Sequence, residues 1–583
     1  MNILQQSNLV TLLLPALGTI LLLLSCINTV HAAAEKNTST DDTTPSSTHT
    51  VPIISTTNKP NIVLILADDV GTGDIPVYWN SSAVDMPNLD RLARMGVTFK
   101  DAHSSSICAP SRYMLLSGNY AHRGFRPNGS WGFYENRNQF LDRQRSIAEL
   151  LRDEAGYHTS MFGKWHLGAK APPNGIATKE SSKYVLTDPT MDWTLPLIGG
   201  PQDIGFTRSY MTIGGIQSPP YSFFRDGYLS TDERNITYWE EGSHETDHGM
   251  SVVGKTHSGE GDTNWDSTAY NMILVNETTR FIDEHLAATP SDPFFTYVAL
   301  GSVHVPHSPP NHYMDGSPVK DEYPTRHLDM LLEMDKVVGS IVSHIEKRNI
   351  TQDTIIIFTS DNGGLRAKYS YKTTGHRTGG PLRGEKRSIY EGGHRVPLII
   401  RYDNKFPANE GRKKMVGLND VYATICELVG VEIPYGSAQD SISFADYIES
   451  STNKNGRRNR FASWTYGRNI VKEEAIRYGS MKLIRNNFNS AFQLYDLSSD
   501  ISESMDLSTN ETYAKKMQIM YRKLKEIGPC PEDRHGQFSI GGMSKQKGCN
   551  WFRKKTNRCN RYLEGELYCS SVCGRNKGYC GLE

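Results

Sequence analysis

The sequence lacks an excess of charge of either sign, and this absence narrows the classes of partner. Its 583 residues carry 63 Lys and Arg against 64 Asp and Glu, which gives a formal net charge of −1. A protein that binds nucleic acid or an anionic membrane through much of its surface is usually strongly basic. We therefore expect no nucleic-acid partner, although a local basic groove for a polyanionic substrate is compatible with this balance.

Long apolar runs are also absent, apart from one at the N-terminus. Residues 9–24 are almost wholly apolar, and small residues near Ala32 suit cleavage by a signal peptidase. Because the run is short for a membrane span, we interpret 1–32 as a signal peptide, with an uncleaved signal anchor as the alternative. Residues 33–57 are rich in Ser and Thr and predict a linker. We expect no membrane span after signal cleavage.

Seven Asn-x-Ser/Thr sequons fit a glycoprotein that passes through the secretory pathway. They lie at Asn37, Asn80, Asn128, Asn235, Asn276, Asn349 and Asn510. We predict a secreted, extracellular protein, with lysosomal delivery as the alternative because both routes share these signals.

Cysteine is scarce in the main body of the chain, where only Cys108 and Cys426 occur between the leader and residue 528. A disulfide between these two is one interpretation. Cys426 lies in an apolar helical pattern, however, which favours a buried free thiol. Six further cysteines crowd the C-terminus and predict a disulfide-bonded module over 528–583. They are Cys530, Cys549, Cys559, Cys569, Cys573 and Cys580.

Apolar runs of strand length alternate with helical patterns from residue 58 to about residue 410. Their continuous apolar character is typical of strands buried on both faces of a parallel sheet. The alternation predicts an α/β catalytic domain over 58–410 with a large, doubly wound, mostly parallel sheet. A smaller α+β domain with an antiparallel sheet is predicted over 411–527, from a helical pattern and two strand patterns at 416–430, 475–484 and 492–497.

Acidic and amide residues follow two of the predicted strands at the point where each strand ends. Asp68 and Asp69 follow the first strand, and Asp361 and Asn362 follow the strand at 354–360. In open α/β sheets the ligand crevice lies beyond the carboxyl ends of the strands. Adjacent carboxylates repel unless a cation joins them, and an all-oxygen set favours Ca²⁺ or Mg²⁺ over Zn²⁺. Each pair alone is more typical of a solvated turn, but the two pairs together, each at the end of an apolar strand, predict a divalent cation site.

The thiol of Cys108 stands two residues before Pro110, a residue type that favours the start of a helix. We expect Cys108 just ahead of a helix N-terminus, where backbone N–H groups and the helix dipole favour an anion. Arg112, four residues later, would lie on the same helix face. A nucleophile, a dipole and a guanidinium together suit sulfate or phosphate. The alternative is a buried or disulfide-bonded cysteine beside a surface helix.

The run Cys-Ala-Pro-Ser-Arg, followed by Leu-Ser-Gly, resembles the signature of the type I, formylglycine-dependent sulfatases. These arylsulfatase-like enzymes belong to the alkaline-phosphatase superfamily. The other motifs of the family also stand in family order along the chain. The Asp-Asp pair at 68–69 precedes this run, and GKWHLG at 163–168, SVHVP at 302–306, the DNG turn at 361–363 and LRGEK through YEGG at 382–393 follow it. The resemblance covers roughly 58–510 and leaves the tail outside.

The resemblance implies that Cys108 is oxidised by a formylglycine-generating enzyme and that the aldehyde hydrate is the nucleophile. It implies one divalent cation, usually Ca²⁺, held by Asp68, Asp69, Asp361, Asn362 and the modified residue 108. The other implied roles are charge stabilisation by Arg112, sulfate binding by Lys164 and Lys386, release of sulfate by His166 as base, and protonation of the leaving alcohol by His304. His307 offers a competing position for this acid, but the predicted strand runs directly into His304.

The resemblance implies hydrolysis of sulfate esters, with a sulfated small molecule or polysaccharide as the substrate. A phosphodiester or phosphonate monoester hydrolase of the same superfamily is the main alternative. A non-catalytic, secreted glycan-binding protein is the second, and the filled catalytic positions argue against it. The sequence indicates neither the oligomeric state nor the linkage that is cleaved.

Overall fold

The computed structural model describes residues 59–80, 82–125, 137–173, 186–188, 191–240, 256–450, 461–466, 473–487 and 490–527. The predicted signal peptide, linker and cysteine-rich tail lie outside the described residues, as do the sequons at Asn37 and Asn128. The asparagines of the other five sequons are exposed. No helix in the described part of the chain combines the length and apolar composition that a membrane span requires.

Nineteen strands lie in the described residues. They are β1 Asn61–Ala67, β2 Val97–Phe99, β3 Ala102–His103, β4 His158–Lys164, β5 Arg208–Thr212, β6 Phe224–Arg225, β7 Tyr228–Leu229, β8 Ile236–Trp239, β9 Gly259–Asp262, β10 Phe294–Ala299, β11 Thr354–Ser360, β12 Arg395–Val396, β13 Leu398–Arg401, β14 Glu410–Arg412, β15 Val416–Gly417, β16 Phe461–Tyr466, β17 Glu473–Tyr478, β18 Met481–Arg485 and β19 Gln493–Asp496.

Ten α-helices accompany these strands in the same described residues. They are α1 Pro87–Arg94, α2 Cys108–Ser117, α3 Ile147–Ala155, α4 Tyr270–Ala288, α5 Arg326–Lys347, α6 Lys368–Thr374, α7 Glu391–His394, α8 Asp420–Val429, α9 Ala445–Glu449 and α10 Ala514–Ile527.

The largest sheet has ten strands in the order β14-β2-β13-β11-β1-β10-β4-β5-β6-β7. Its centre is parallel, because β11, β1, β10, β4 and β5 all run in one direction. Antiparallel pairs occur toward the edges, between β11 and β13, β13 and β2, β5 and β6, and β6 and β7. The prediction of a large, mostly parallel sheet is therefore confirmed.

Helices cover both faces of this sheet, and the residues of β1 show why. Ile62 and Leu64 point into one apolar core, which they share with residues of α2, α3 and α8. Val63 and Ile65 point into a second core with residues of α1, α4 and α5. Successive side chains of a strand alternate between the two faces, so a strand covered on both sides must be apolar throughout. The uninterrupted apolar run of β1 is the sequence signal of this doubly wound arrangement.

A separate antiparallel sheet of β16-β17-β18-β19 follows, as predicted. Helix α10 packs on it through Met520 and Leu524. The predicted helix over 416–430 is shorter than expected, because β15 pairs with β3 and α8 begins only at Asp420. It ends before Gly430, whose φ of 72° suits a glycine cap. Strand β14 pairs with β2 in the large sheet, and the domain boundary near residue 410 stays a prediction.

Candidate active site

Four neighbouring strands of the large sheet bring the predicted polar residues to one edge. In the parallel order β11-β1-β10-β4, Ala67 is paired with Ser360, Leu66 with Ala299, and Ala299 with Gly163. The residues that follow these strand ends therefore lie side by side. The structure thus brings together the Asp-Asp pair, the Asp-Asn turn, the lysine and histidine after β4, and the histidine after β10.

The oxygen-rich centre of this site is fully buried. The backbone N–H of Asp69 donates to Asp361 Oδ1 at 3.1 Å, and Asn362 Nδ2 donates to Asp69 Oδ1 at 2.8 Å. Asp68 Oδ1, Asp69 Oδ2 and Asn362 Oδ1 are buried and have no hydrogen-bond partner among the described residues. A buried oxygen without a partner is costly, and carboxylate and amide oxygens are the preferred ligands of Ca²⁺ and Mg²⁺. The residues present therefore fit a divalent cation.

Mutual repulsion of these carboxylates contributes to their pKa values. Burial and the charge of Asp68 raise the pKa of Asp361 to about 7. Burial alone would also raise the pKa of Asp68, but nearby cations, chiefly Lys164, hold it well below its usual range. A divalent cation would relieve the repulsion between the carboxylates and keep them all ionised.

Cys108 is the first residue of α2, whereas the sequence predicted it just ahead of the helix. All ten residues of α2 are buried, so this is not a surface helix. The sulfur lies 3.3 Å from Nδ1 of His166, and burial raises the pKa of the Cys108 thiol. Cys108 and Cys426 are both buried free thiols, which confirms the prediction of a free Cys426.

Arg112 links the helix to the carboxylates. Its Nη2 donates to Asp361 Oδ2 at 2.8 Å and lies 3.4 Å from Asp68 Oδ2. Its Nη1 donates to the backbone carbonyl of Lys164 at 2.8 Å. Because the guanidinium is completely buried, these contacts fix the position of α2 relative to the ends of β1, β4 and β11.

Two lysines flank the Asp-Asp pair, one beside each carboxylate. Lys164 Nζ lies 2.5 Å from Asp68 Oδ2, and Lys386 Nζ pairs with Asp69 Oδ1. Despite burial, Asp69 raises the pKa of Lys386. Together with Arg112 they balance the three carboxylates. The site therefore has a strong local field although its formal charges cancel.

The structure separates the two candidate acids, His304 and His307. His304 Nε2 lies 3.8 Å from Asp69 Oδ2, and its Nδ1 donates to Val305 O at 2.6 Å. Burial and the nearby lysines lower the pKa of His304 to about 4. His307 packs on His327 with ring centroids 5.3 Å apart, and neither of its ring nitrogens is solvent-accessible. The geometry favours His304 as the imidazole that faces the reaction centre.

Sequence reasoning missed a buried carboxylic acid behind the strand end of β10. Glu333 accepts hydrogen bonds from Ser302 Oγ at 3.0 Å and from Asn271 Nδ2 at 3.1 Å. Burial raises its pKa to about 7. It supports the turn that leads to His304. The sequence offered little signal, because Glu333 is one of several acids in α5 and belongs to no motif.

A second buried group of charges was also missed, and we call it the inner charge cluster. It consists of Asp101, His103, Glu391, His394, Arg395, Arg477, Lys482 and Glu503. Possible ligand atoms of His103, Glu391 and His394 lie within 4.8 Å of one another, a spacing at which three side chains can hold a metal ion. However, Lys482 Nζ already lies 3.0 Å from Glu391 and 3.1 Å from His394, so an ammonium group supplies the positive charge between them.

A sheet edge that gathers three carboxylates, three cations and a thiol at a helix start is suited to an anionic ester beside a metal ion. With the doubly wound α/β sheet, this arrangement defines a hydrolase of the alkaline-phosphatase superfamily. The sulfatase family model matches residues 60–185 and 222–431, and a model for the C-terminal region of N-sulphoglucosamine sulphohydrolase matches 384–528. The chain belongs to the sulfatase family.

Named relatives agree with this assignment. An N-acetylgalactosamine-6-O-sulfatase of Bacteroides thetaiotaomicron is 28% identical over 518 residues, which cover 80% of this chain and 92% of the relative. Arylsulfatase G of Mus musculus is 29% identical over 460 residues, covering 75% of this chain and 76% of the relative. A solved sulfatase structure from glycosaminoglycan metabolism in Bacteroides thetaiotaomicron superposes with a TM-score of 0.67 and 25% identity, covering 81% of this chain and 99% of that one.

The protein is therefore a sulfuric ester hydrolase, and its reaction is the hydrolysis of sulfate esters. The family implies a divalent metal ion and a formylglycine nucleophile. In the oxygen-rich centre, one possible ligand atom from each of Asp68, Cys108 and Asp361 lies within 4.8 Å of the other two, so these residues could hold one metal ion.

Proposed function

We propose that Cys108, once oxidised to formylglycine, is the position from which this sulfatase attacks the sulfur of a sulfated carbohydrate. The observation that carries the proposal is the position of Cys108 at the start of α2, beside buried carboxylate oxygens without partners. When present, the aldehyde hydrate supplies one hydroxyl for attack and a second through which sulfate can leave. A formylglycine-generating enzyme is then a partner during maturation.

The proposed metal ligands are Asp68, Asp69, Asp361, Asn362 and residue 108. Their oxygen-only donor set suits Ca²⁺, with Mg²⁺ as the alternative. When bound, the cation would neutralise sulfate oxygens and so favour attack at sulfur. Support comes from the three unpartnered oxygens and from the raised pKa of Asp361.

Three cationic side chains would hold the sulfate and the nucleophile. Lys164 and Lys386, one beside each aspartate of the pair, are within reach of oxygens on a sulfate bound between them. Fixed charges that need no reorganisation are the most effective stabilisers of a charged transition state. Arg112, locked between Asp361 and the carbonyl of Lys164, would keep the helix start and the charge of the hydrate in place.

Two imidazoles would move the protons. His166, whose Nδ1 is 3.3 Å from the Cys108 sulfur, is placed to take a proton from the second hydroxyl. His304 uses Nδ1 for Val305 O, so Nε2 is the atom available to the leaving oxygen. An anionic sulfate would offset the two lysines that lower the His304 pKa, and it would thereby favour the protonated acid.

The substrate class, the compartment and the tail belong to the same proposal. The names of the relatives, an N-acetylgalactosamine-6-O-sulfatase and an arylsulfatase, support a sulfated carbohydrate or a sulfated small molecule. The sequons and the apolar N-terminal run support secretion, with lysosomal delivery as the alternative. We propose the domain division at residues 58, 411 and 528 and a disulfide-bonded tail on sequence grounds alone.

The test compares three chromogenic esters that share one leaving group, a sulfate, a phosphate monoester and a phosphodiester. The full-length protein should hydrolyse the sulfate with the highest kcat/KM. Mass spectrometry of the peptide that contains residue 108 should show formylglycine. Faster turnover of either phosphoester would contradict the proposed preference for sulfate esters. An unmodified Cys108 in active enzyme would contradict the proposal that formylglycine is the nucleophile.

A further inference from the structure

A loop of residues 365–387 begins and ends at the active site. It leaves the Asp-Asn turn at its start and returns to Lys386 at its end. The backbone N–H of Lys386 donates to Gly364 O at 3.0 Å, which closes the base of the loop. The next residue, Arg387, donates its backbone N–H to Ser106 O at 2.7 Å, two residues before Cys108. The ends of this loop are therefore fixed beside the nucleophile position.

The charge of this loop contrasts with that of the chain as a whole. Residues 365–387 contain seven Lys and Arg but a single acid, Glu385, whereas the whole chain carries 63 basic and 64 acidic residues. Six of the seven are exposed, and one of these, Arg383, already donates to the carbonyl of Glu503 at 2.6 Å. The other five do not belong to the site described above. We call them the basic rim: Arg366, Lys368, Lys372, Arg377 and Arg387.

The basic rim has few internal partners. Arg366 lies 3.4 Å from Glu385, and both side chains are largely exposed. Lys368, Lys372 and Arg387 have no carboxylate within 4 Å among the described residues. Exposed cationic side chains without a paired carboxylate attract anions from solution.

Aromatic side chains accompany the rim. Tyr369 and Tyr371 are 38% and 49% exposed. The guanidinium of Arg377 lies 5.1 Å from the ring centre of Tyr371 and donates to its hydroxyl at 3.3 Å. Tyrosine combines an apolar face with a polar tip, which suits a sugar ring and its hydroxyls.

We infer that the basic rim binds further anionic groups of the same sulfated glycan whose ester enters the active site. The substrate class is then a polyanionic glycan chain with several sulfate or carboxylate groups, and not an isolated monoester. This inference rests on the proposed function, because it assumes that a sulfate ester lies at residue 108. Its added content is a second binding region, continuous with the first through Lys386 and Arg387.

The test replaces four rim cations together, Arg366→Gln, Lys368→Gln, Lys372→Gln and Arg377→Gln. The matched control neutralises four cations of α10: Lys515→Gln, Lys516→Gln, Arg522→Gln and Lys525→Gln. Binding of fluorescent dextran sulfate is measured by polarisation at several salt concentrations, with neutral dextran for comparison. The rim variant should bind dextran sulfate at least about tenfold more weakly, with a flatter salt dependence, whereas the control should change by less than about twofold.

A second readout connects the rim to catalysis. Dextran sulfate should inhibit hydrolysis of a small chromogenic sulfate competitively in the wild type, and this inhibition should weaken in parallel with binding in the rim variant. Noncompetitive inhibition would place the polyanion elsewhere and overturn the inference. Equal losses in both quadruple variants, or equally tight binding of a single-stranded oligonucleotide at the rim, would do so too.

The two levels of the proposal fail separately. Polarisation does not require turnover, so rim-dependent binding by a protein that hydrolyses no sulfate ester would refute the proposed chemistry and leave the rim intact. Conversely, an active sulfatase whose rim variant binds dextran sulfate as tightly as the wild type would refute the rim and leave the chemistry intact.

Discussion

Two buried groups of charges in this molecule contain the same ingredients, three carboxylates and three cations each. The active site combines Asp68, Asp69 and Asp361 with Arg112, Lys164 and Lys386. The inner charge cluster combines Asp101, Glu391 and Glu503 with Arg395, Arg477 and Lys482. Composition alone therefore does not distinguish them.

Their pairing does distinguish them. In the inner charge cluster Arg477 donates to both oxygens of Asp101, at 2.8 and 2.7 Å, and Lys482 joins Glu391 at 3.0 Å to Glu503 at 2.9 Å. Trp464 stacks on His394 at 4.3 Å and covers the group. Glu503 Oε1 accepts no hydrogen bond but still lies 2.9 Å from the Lys482 ammonium. In the active site, Asp68 Oδ1, Asp69 Oδ2 and Asn362 Oδ1 have no hydrogen-bond partner among the described residues. A closed set of charges joins two parts of the fold, whereas an incomplete one is able to bind a ligand.

The largest expected effect comes from removing the second hydroxyl of the nucleophile while leaving every charge in place. Cys108→Ser keeps an oxygen at the position but cannot form an aldehyde hydrate, so it lacks the second hydroxyl through which sulfate leaves. We expect kcat for a chromogenic sulfate to fall by about ten thousandfold or more. Intact mass spectrometry should reveal enzyme that retains one sulfate group after reaction.

The control for this variant is Cys426→Ser, at the other buried free thiol. It should keep the turnover of the wild type in its folded fraction, because Cys426 lies in the apolar core and not at the sheet edge. A Cys108→Ser enzyme that turns over sulfate at the rate of the wild type would contradict the formylglycine proposal.

The next effect removes one ligand charge from the incomplete cluster. Asp69→Asn retains the shape of the side chain but removes its negative charge. In the wild type, Asp69 Oδ2 has no hydrogen-bond partner among the described residues and is free to bind a cation. We expect Ca²⁺ affinity to fall at least about a thousandfold, measured by calorimetry and by the metal content of the purified protein.

Asp74→Asn is the matched control. The carboxylate of Asp74 is also fully buried, but Gly71 N donates to Oδ2 and His376 Nε2 contacts Oδ1, each at 2.7 Å. Both oxygens are thus already engaged, and Ca²⁺ affinity should not change. Equal losses in the two variants would show that burial of the charge, and not free lone pairs, determines metal binding.

The sequence indicated the members of the candidate site because each of them stands in a local pattern. Asp68 and Asp361 follow apolar runs and Lys164 ends a more polar strand pattern, and parallel strands bring such ends together whatever the order of connection. The same patterns predicted β1, β4, β10 and β11 and placed them in one sheet. The contacts themselves, such as Arg112 with Asp361, required the three-dimensional register.

The inner charge cluster could not be predicted, because no local pattern marks it. Asp101 and Arg477 are 376 residues apart, and they meet only because the side chain of Arg477 on β17 reaches the residue that precedes β3. The helix α8 shows the same limit at a smaller scale. Its apolar pattern extends to residue 416, but pairing of β15 with β3 overrides the local helical preference up to Asp420.

The third prediction breaks the closed cluster. Lys482→Met keeps the length of the side chain but leaves Glu391 and Glu503 without their shared cation. We expect the free energy of unfolding to fall by about 3–5 kcal/mol, measured by urea denaturation, because an unpaired buried charge is strongly destabilising.

Lys523→Met provides the comparison at the surface. Lys523 pairs with Glu526 at 2.5 Å on α10, and both side chains are substantially exposed, so the loss should stay below about 1 kcal/mol. If Lys482→Met were no more destabilising than Lys523→Met, the inner charge cluster would not be the structural joint that its pairing indicates.

The smallest effect concerns Glu333, the single acid behind the turn that leads to His304. Its pKa rises from 4.5 to about 7 on folding because it is buried. Between these pH values the folded protein holds a proton that the unfolded chain releases, so stability falls as pH rises through this window. The shift corresponds to about 3 kcal/mol. Glu333→Gln keeps an oxygen for Ser302 and Asn271 and should remove this pH dependence.

Glu277→Gln tests the sign of that argument. Although burial raises the pKa of Glu277, hydrogen bonds from Arg225 and Arg280 lower it overall. Its carboxylate therefore stabilises the fold above its unfolded pKa and loses this contribution as pH falls. In urea unfolding at a series of pH values, Glu333→Gln should become increasingly more stable than the wild type as pH rises above 4.5. Glu277→Gln should lose stability relative to the wild type only as pH rises toward the unfolded pKa, and above that pKa the difference should stay constant. Parallel curves for wild type and Glu333→Gln would show that Glu333 stays ionised in the folded protein.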